Sequence, residues 1–67
     1  MRISYNKLWK MLIDKNMTKS DLREKAGISS ASLAKLGKGD NITTDVLLRI
    51  CEEMDCRIED ILETVRD

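Results

Sequence analysis

The chain has no histidine, no phenylalanine and no proline, and its only aromatic residues are Tyr5 and Trp9. Without histidine it lacks the side chain most often used to move protons near neutral pH. Its two cysteines show no activating partner, and there is no glycine-rich phosphate loop, so an enzyme is not expected. Cys51 and Cys56 form a C-x4-C pair that, with no histidine and no third cysteine, cannot complete a four-ligand zinc site. Both are read as reduced thiols, with Cys51 as a small core residue, and neither a metal nor any other cofactor is expected. No run approaches the roughly 18 to 20 apolar residues of a membrane span, and no continuous apolar stretch opens the chain as a secretory signal would. The expectation is a soluble, cytoplasmic protein with no membrane contact.

What is present favours helix: Leu, Ile, Met, Lys, Glu and Arg are plentiful. Sixty-seven residues allow a single domain, residues 1-67, whose core must be economical because so short a chain buries only about 60% of its unfolded surface. The predicted class is all-α. Net charge is zero, but its distribution is uneven. Residues 1-39 carry nine bases and three acids, a balance of +6, and residues 40-67 carry three bases and nine acids, a balance of −6. Opposed basic and acidic faces follow.

Ser4 is the expected cap of a first helix from about Tyr5 to Lys15, with Leu8, Met11, Leu12 and Lys15 on the face expected to meet the core. A second stripe, Tyr5, Trp9 and Ile13, makes this helix apolar over more of its circumference than one small core needs. That surplus asks for cover by the C-terminal segment or a second chain. Asn16 suits a left-handed helix end. Thr18 and Asp21 resemble a capping box that opens a second helix, about Lys19 to Ala26. Gly27 ends it, permitting positive φ and close packing of the next helix. Ser29 then caps a third helix from about Ser30 to Leu36 or Gly37, with Leu33 and Leu36 inward. Thr43 caps a fourth, about Thr44 to Met54, with Leu47, Ile50, Cys51 and Met54 at core spacing. A fifth, about Ile58 to Val65, is expected to turn Ile58, Ile61, Leu62 and Val65 to the core.

Five short helices, the second and third joined by Gly27-Ile28-Ser29, resemble the lambda-repressor-like DNA-binding domains, with a helix-turn-helix over about residues 18-37. The run from Met17 through Ser29, with its apolar residue, Thr cap, Leu22 and Ala26-Gly27-Ile28-Ser29, is similar to that family's opening pattern. Ser32 through Gly39, Leu47-Leu48-Arg49-Ile50-Cys51 and Ile58-Glu59-Asp60-Ile61-Leu62 resemble its later helices. The likeness extends over nearly the whole chain and points to the Cro-like and phage-repressor-like regulators often called the XRE family. It implies sequence-specific binding of double-stranded DNA by a small transcriptional regulator, a repressor by first expectation, with the third helix in the major groove. By position Ser30, Ala31 and Lys35 match base-reading sites, while Lys19, Ser29, Ser32, Lys38 and Asn41 match sites along the DNA backbone. Ser29 also reads as a simple helix cap. Arg23 departs from the pattern, standing where the family usually has Ala. Either its stem lies along the surface with the charge outside, or the motif helices are spaced differently.

The competing reading is a helical protein-interaction or antitoxin-like adaptor that keeps the fold and binds a protein through the acidic half or the Tyr5-Trp9-Ile13 stripe. The polar third helix and the charge split favour DNA. One short reading helix covers few base pairs, so a homodimer is expected, with Tyr5, Trp9 and Ile13 as candidates for its interface. No small-molecule ligand is evident.

Overall fold

A computed structural model describes residues 1–66; Asp67, the last acid in the charge count above, lies outside them. The elements run β1 (Arg2–Ser4), α1 (Asn6–Asp14), α2 (Lys19–Ala26), α3 (Ser30–Lys38), α4 (Thr44–Met54), a single 3-10 turn (Ile58–Asp60) and β2 (Glu63–Val65). The predicted boundaries of α2 and α4 are those observed, and α3 continues one or two residues further than expected, through Lys38.

Three helix starts rest on side chains. Thr18 Oγ1 accepts the Asp21 N–H at 3.0 Å while Asp21 Oδ2 accepts the Thr18 N–H at 3.0 Å, a reciprocal capping box. Ser29 Oγ accepts the Ser32 N–H at 3.1 Å, and Thr43 Oγ1 accepts the Val46 N–H at 3.3 Å. Ser4 behaves differently from expectation. It ends β1, is buried, and its Oγ accepts the Asn6 N–H at 3.3 Å, while Tyr5 takes the N-cap position without a side-chain bond.

All four helices stop in one way. A residue in the left-handed region follows each of them, Asn16 (φ 58°), Gly27 (66°), Gly39 (73°) or Asp55 (51°). The next amide bonds back five residues, from Met17 to Leu12, Ile28 to Arg23, Asp40 to Lys35 and Cys56 to Cys51, at 2.8 to 3.2 Å. This Schellman closure satisfies carbonyls a helix end leaves free and brings the residue after the turn beside the one five earlier. Met17 and Ile28 are thereby returned to the core, Ile28 fully buried and Met17 half-buried against it.

The expected fifth helix is absent, so the fold is four helices with a small sheet. An eight-residue helix gains little by itself. Here Asp60 Oδ2 accepts the Arg57 N–H at 2.9 Å and closes one tight turn. The β-branched Thr64 and Val65 then favour an extended strand. β2 pairs antiparallel with β1 in the register Arg2↔Val65, Ile3↔Thr64, Ser4↔Glu63. Consequently Ile61 alone of the four predicted inward residues is fully buried, Leu62 and Val65 are half-buried, and Ile58 is 37% exposed.

The core joins Leu8 and Leu12 of α1, Leu22 and Ala26 of α2, Ile28, Leu36 of α3, four residues of α4 and Ile61. Leu33, predicted inward, is only half-buried, and Lys15, predicted on the core face of α1, caps the end of that helix and is exposed. Tyr5 belongs to this core at 4% exposure, and its hydroxyl donates to the Asp40 carbonyl at 2.9 Å. Burial, with Asp40 nearby, raises the tyrosine pKa. The Tyr5-Trp9-Ile13 stripe is therefore divided: Tyr5 is consumed within its own chain and offers no surface to a partner, Trp9 is half-buried, and Ile13 stands 76% exposed.

Candidate nucleic-acid interface

α2 and α3 pack against one another across Gly27-Ile28-Ser29, and α2 also rests on α4. At about 100° per residue, Ser30, Ala31, Ala34, Lys35 and Lys38 fall within an arc of roughly 140° on α3. All five are exposed, while Ser32, Leu33 and Leu36 face the other way, half-buried or buried. From Ser30 to Ala34 this outer face carries nothing larger than serine or alanine, so a flat surface could approach the helix backbone closely. Lys35 and Lys38 supply charge in its last turn. Ala34, not singled out from sequence, lies in the middle of that face; its spacing of three from Ala31 and four from Ser30 is the signal that marks it.

Of the residues matched to DNA-backbone sites, Lys38 belongs to this face, Ser29 and Ser32 lie at the start of α3, Lys19 opens α2 and Asn41 follows α3. Lys19, Lys38 and Asn41 are exposed. Ser29 is already committed: its Oγ accepts the Ser32 amide, and its hydroxyl donates to Ser32 Oγ at 3.1 Å. Ser29 therefore acts as a helix cap and holds the Ser32 side chain, leaving the Ser32 hydroxyl proton as the outward donor of the pair.

Arg23 adopts the first of its two alternatives. Its side chain is 38% exposed, with the guanidinium out near Glu24 at 3.9 Å. At Gly27, φ is 66°, as predicted, but an added Cβ would meet nothing within 4 Å. Close packing of the next helix is thus not what glycine provides there; the left-handed backbone is.

Two contacts had no signal in the sequence. Arg49 of α4 donates from Nη1 to the Gly27 carbonyl at 3.1 Å and pairs through Nε with Asp45 at 3.2 Å, tying the turn between α2 and α3 to α4. The Lys19 ammonium lies 4.4 Å from the centre of the Trp9 ring, within cation–π range. On another side Trp9 lines a cleft of about 160 Å³ between β1, the start of α1 and the end of α3, whose rim includes Arg2, Asn6 and Lys38. Among the described residues no cluster of three or more metal-binding side chains occurs, and no helix is long and apolar enough to cross a membrane.

The acids Glu52, Glu53, Asp55, Glu59, Asp60 and Glu63 are exposed on α4, the 3-10 turn and β2. None lies on α3, whose charges are all positive.

Residues 7–67 match the family model of the Cro/C1-type HTH DNA-binding domain. No curated protein is similar enough to match. Among solved structures, a crystal structure of the transcriptional regulator VanUg (Form II) is similar to this chain at 52% identity, with a TM-score of 0.94, covering 98% of this chain and 88% of that one.

Proposed function

The chain belongs to the family of Cro/C1-type helix-turn-helix DNA-binding domains, and from that membership we propose that it represses transcription by placing α3 in the major groove of a specific double-stranded site. Membership makes it a DNA-binding regulator rather than an enzyme. The observation that carries the finer reading is the outer face of α3, exposed from end to end, small from Ser30 to Ala34 and cationic in its last turn. On this reading Ser30 exchanges a hydrogen bond with a base edge, Ala31 touches a thymine methyl, and Lys35 reaches the O6 and N7 acceptors of guanine. Lys19, Ser32, Lys38 and Asn41 fix register on the phosphates. Neither Ser30 nor Ala31 can make a bidentate contact, so part of the specificity comes from DNA shape. A homodimer on a two-fold symmetric site supplies the remaining length of readout. Within the proposed interface stripe, only Trp9 and Ile13 are left to contribute to it, with Ile13 the more exposed.

Fluorescence anisotropy on duplex libraries at several salt concentrations tests the reading. Lys38→Ala weakens all sequences and lowers the salt slope by about one, whereas Lys35→Ala changes preference at particular base pairs. Absence of binding at low salt refutes the DNA assignment. Sedimentation showing only monomer at high micromolar concentration, with and without DNA, refutes the dimer.

A further inference from the structure

Lys19 is the first residue of α2, an end whose capping box already uses the Thr18 and Asp21 amides and holds the Asp21 carboxylate, so a charge that attracts a phosphate there has to come from the Lys19 side chain. A lysine ammonium on a flexible four-carbon stem ordinarily has to be ordered when it meets a phosphate. Here one arrangement already exists, with the ammonium 4.4 Å from the centre of the Trp9 ring. An aromatic face attracts the cation without using its N–H donors, so these stay available to a ligand on the outer side. Trp9 is itself half-buried against the core from α1, so the ring is a fixed platform and not a second mobile group. The nearby carboxylate of Asp21 is turned back onto the Thr18 amide and does not take the ammonium. The same ring also lines the cleft to which Lys38 contributes at the end of α3.

We propose that Trp9 is a positioning residue for DNA binding, holding the Lys19 ammonium where it meets a backbone phosphate at the start of α2. This rests on the DNA-binding reading above. It assigns to Trp9 a role different from dimerisation, with the indole committed to a cation of its own chain, and leaves Ile13 as the exposed member of the stripe for a dimer contact.

The test is a double-mutant cycle read by anisotropy on one non-specific duplex, using Trp9→Leu, Trp9→Phe, Lys19→Ala and the combined variants, with Lys38→Ala as the reference pairing. Trp9→Leu weakens binding about two- to fivefold, and Trp9→Phe, which keeps a smaller ring, weakens it less. In the Lys19→Ala background the Trp9 substitutions have no further effect, whereas with Lys38→Ala they add in full. In the free protein, Lys19→Ala also changes the emission of Trp9, the one tryptophan of the chain. A Trp9 that merely supported the fold would weaken binding equally with or without Lys19, and that additivity overturns the proposal. So does unchanged binding by Trp9→Leu. If Trp9→Leu does not fold, the Trp9→Phe cycle decides by the same criterion. Failure of the wild type to bind any duplex overturns the DNA reading together with this one, whereas wild-type binding with additive losses overturns this one alone.

Discussion

Replacing Gly27 separates two physical reasons for a glycine in the tight turn, and the structure favours one of them. The residue sits at φ 66°, ψ 34°, with open space where a Cβ would go. Gly27→Ala therefore meets no clash; its cost is that of holding an L-residue left-handed, about 1–2 kcal/mol. Against this stands the reduced freedom of the unfolded chain, worth about 0.4–1 kcal/mol in alanine's favour. The net loss is about 1 kcal/mol, which for a domain of this size lowers Tm by roughly 4–8 °C. Gly27→Asn costs less, because asparagine tolerates this region and already occupies the matching position at Asn16, φ 58°. Urea and thermal unfolding followed by circular dichroism measure both. A loss beyond about 3 kcal/mol for Gly27→Ala would mean that the methyl group meets packed atoms, and would refute the backbone explanation.

Further outcomes follow from other positions. Ile61→Ala, at a fully buried site, costs about 2–5 kcal/mol in urea unfolding, whereas Ile58→Ala costs less than about 0.5 kcal/mol; equal losses would restore a fifth helix. Thr18→Ala removes one half of the capping box and costs about 1 kcal/mol. The other half fades on acidification, because the Thr18 amide and hydroxyl hold the Asp21 carboxyl below its ordinary range and its contribution is lost as pH falls through that lowered value. Burial and the neighbouring Cys51 thiol push Cys56 from 9.0 up to about 11. Alkylation of native Cys56 is therefore slow at pH 8, rises about tenfold per pH unit, and lags the unfolded chain; equal rates would contradict its burial. Because the folded state favours the protonated thiol, this contribution to stability is intact below pH 9 and is lost as pH rises through about 11, with Tyr5 adding a loss of the same sign.

Features set by neighbouring residues were legible in the sequence. Thr18, Ser29 and Thr43 cap helices because a short hydroxyl reaches an amide three residues on, and Asn16 and Gly27 mark stops because few residues tolerate positive φ. The periodicity of α4 identified its four buried residues for the same reason. What periodicity cannot see is a partner distant in the chain. Ile58, Ile61, Leu62 and Val65 fit a helical face, yet Thr64 pairs with Ile3 across almost the whole sequence. Tyr5 read as surplus apolar surface because its acceptor, the Asp40 carbonyl, is 35 residues away. Ser30, Ala31 and Lys35, singled out from sequence, share the exposed side of α3 with Ala34, which only its helical spacing marks. The contacts that steady the surroundings of that side, Arg49 to Gly27 and Lys19 to Trp9, also join separate elements.

The pairing of β1 with β2 has a consequence in time. Joining Arg2 to Val65 closes a loop of roughly sixty residues, at an entropy cost of about 3–4 kcal/mol if the intervening chain is still coil. Three residue pairs on a two-stranded ladder cannot offset that alone. The ladder becomes favourable only once the four helices have shortened the path between its ends, so it assembles last and opens first. Amide protons in Arg2–Ser4 and Glu63–Val65 then exchange through local fraying, well before those of α4, which wait for global unfolding. Since β1 also forms one wall of the cleft beside the end of α3, each such opening exposes that flank of α3 while the rest of the molecule stays folded.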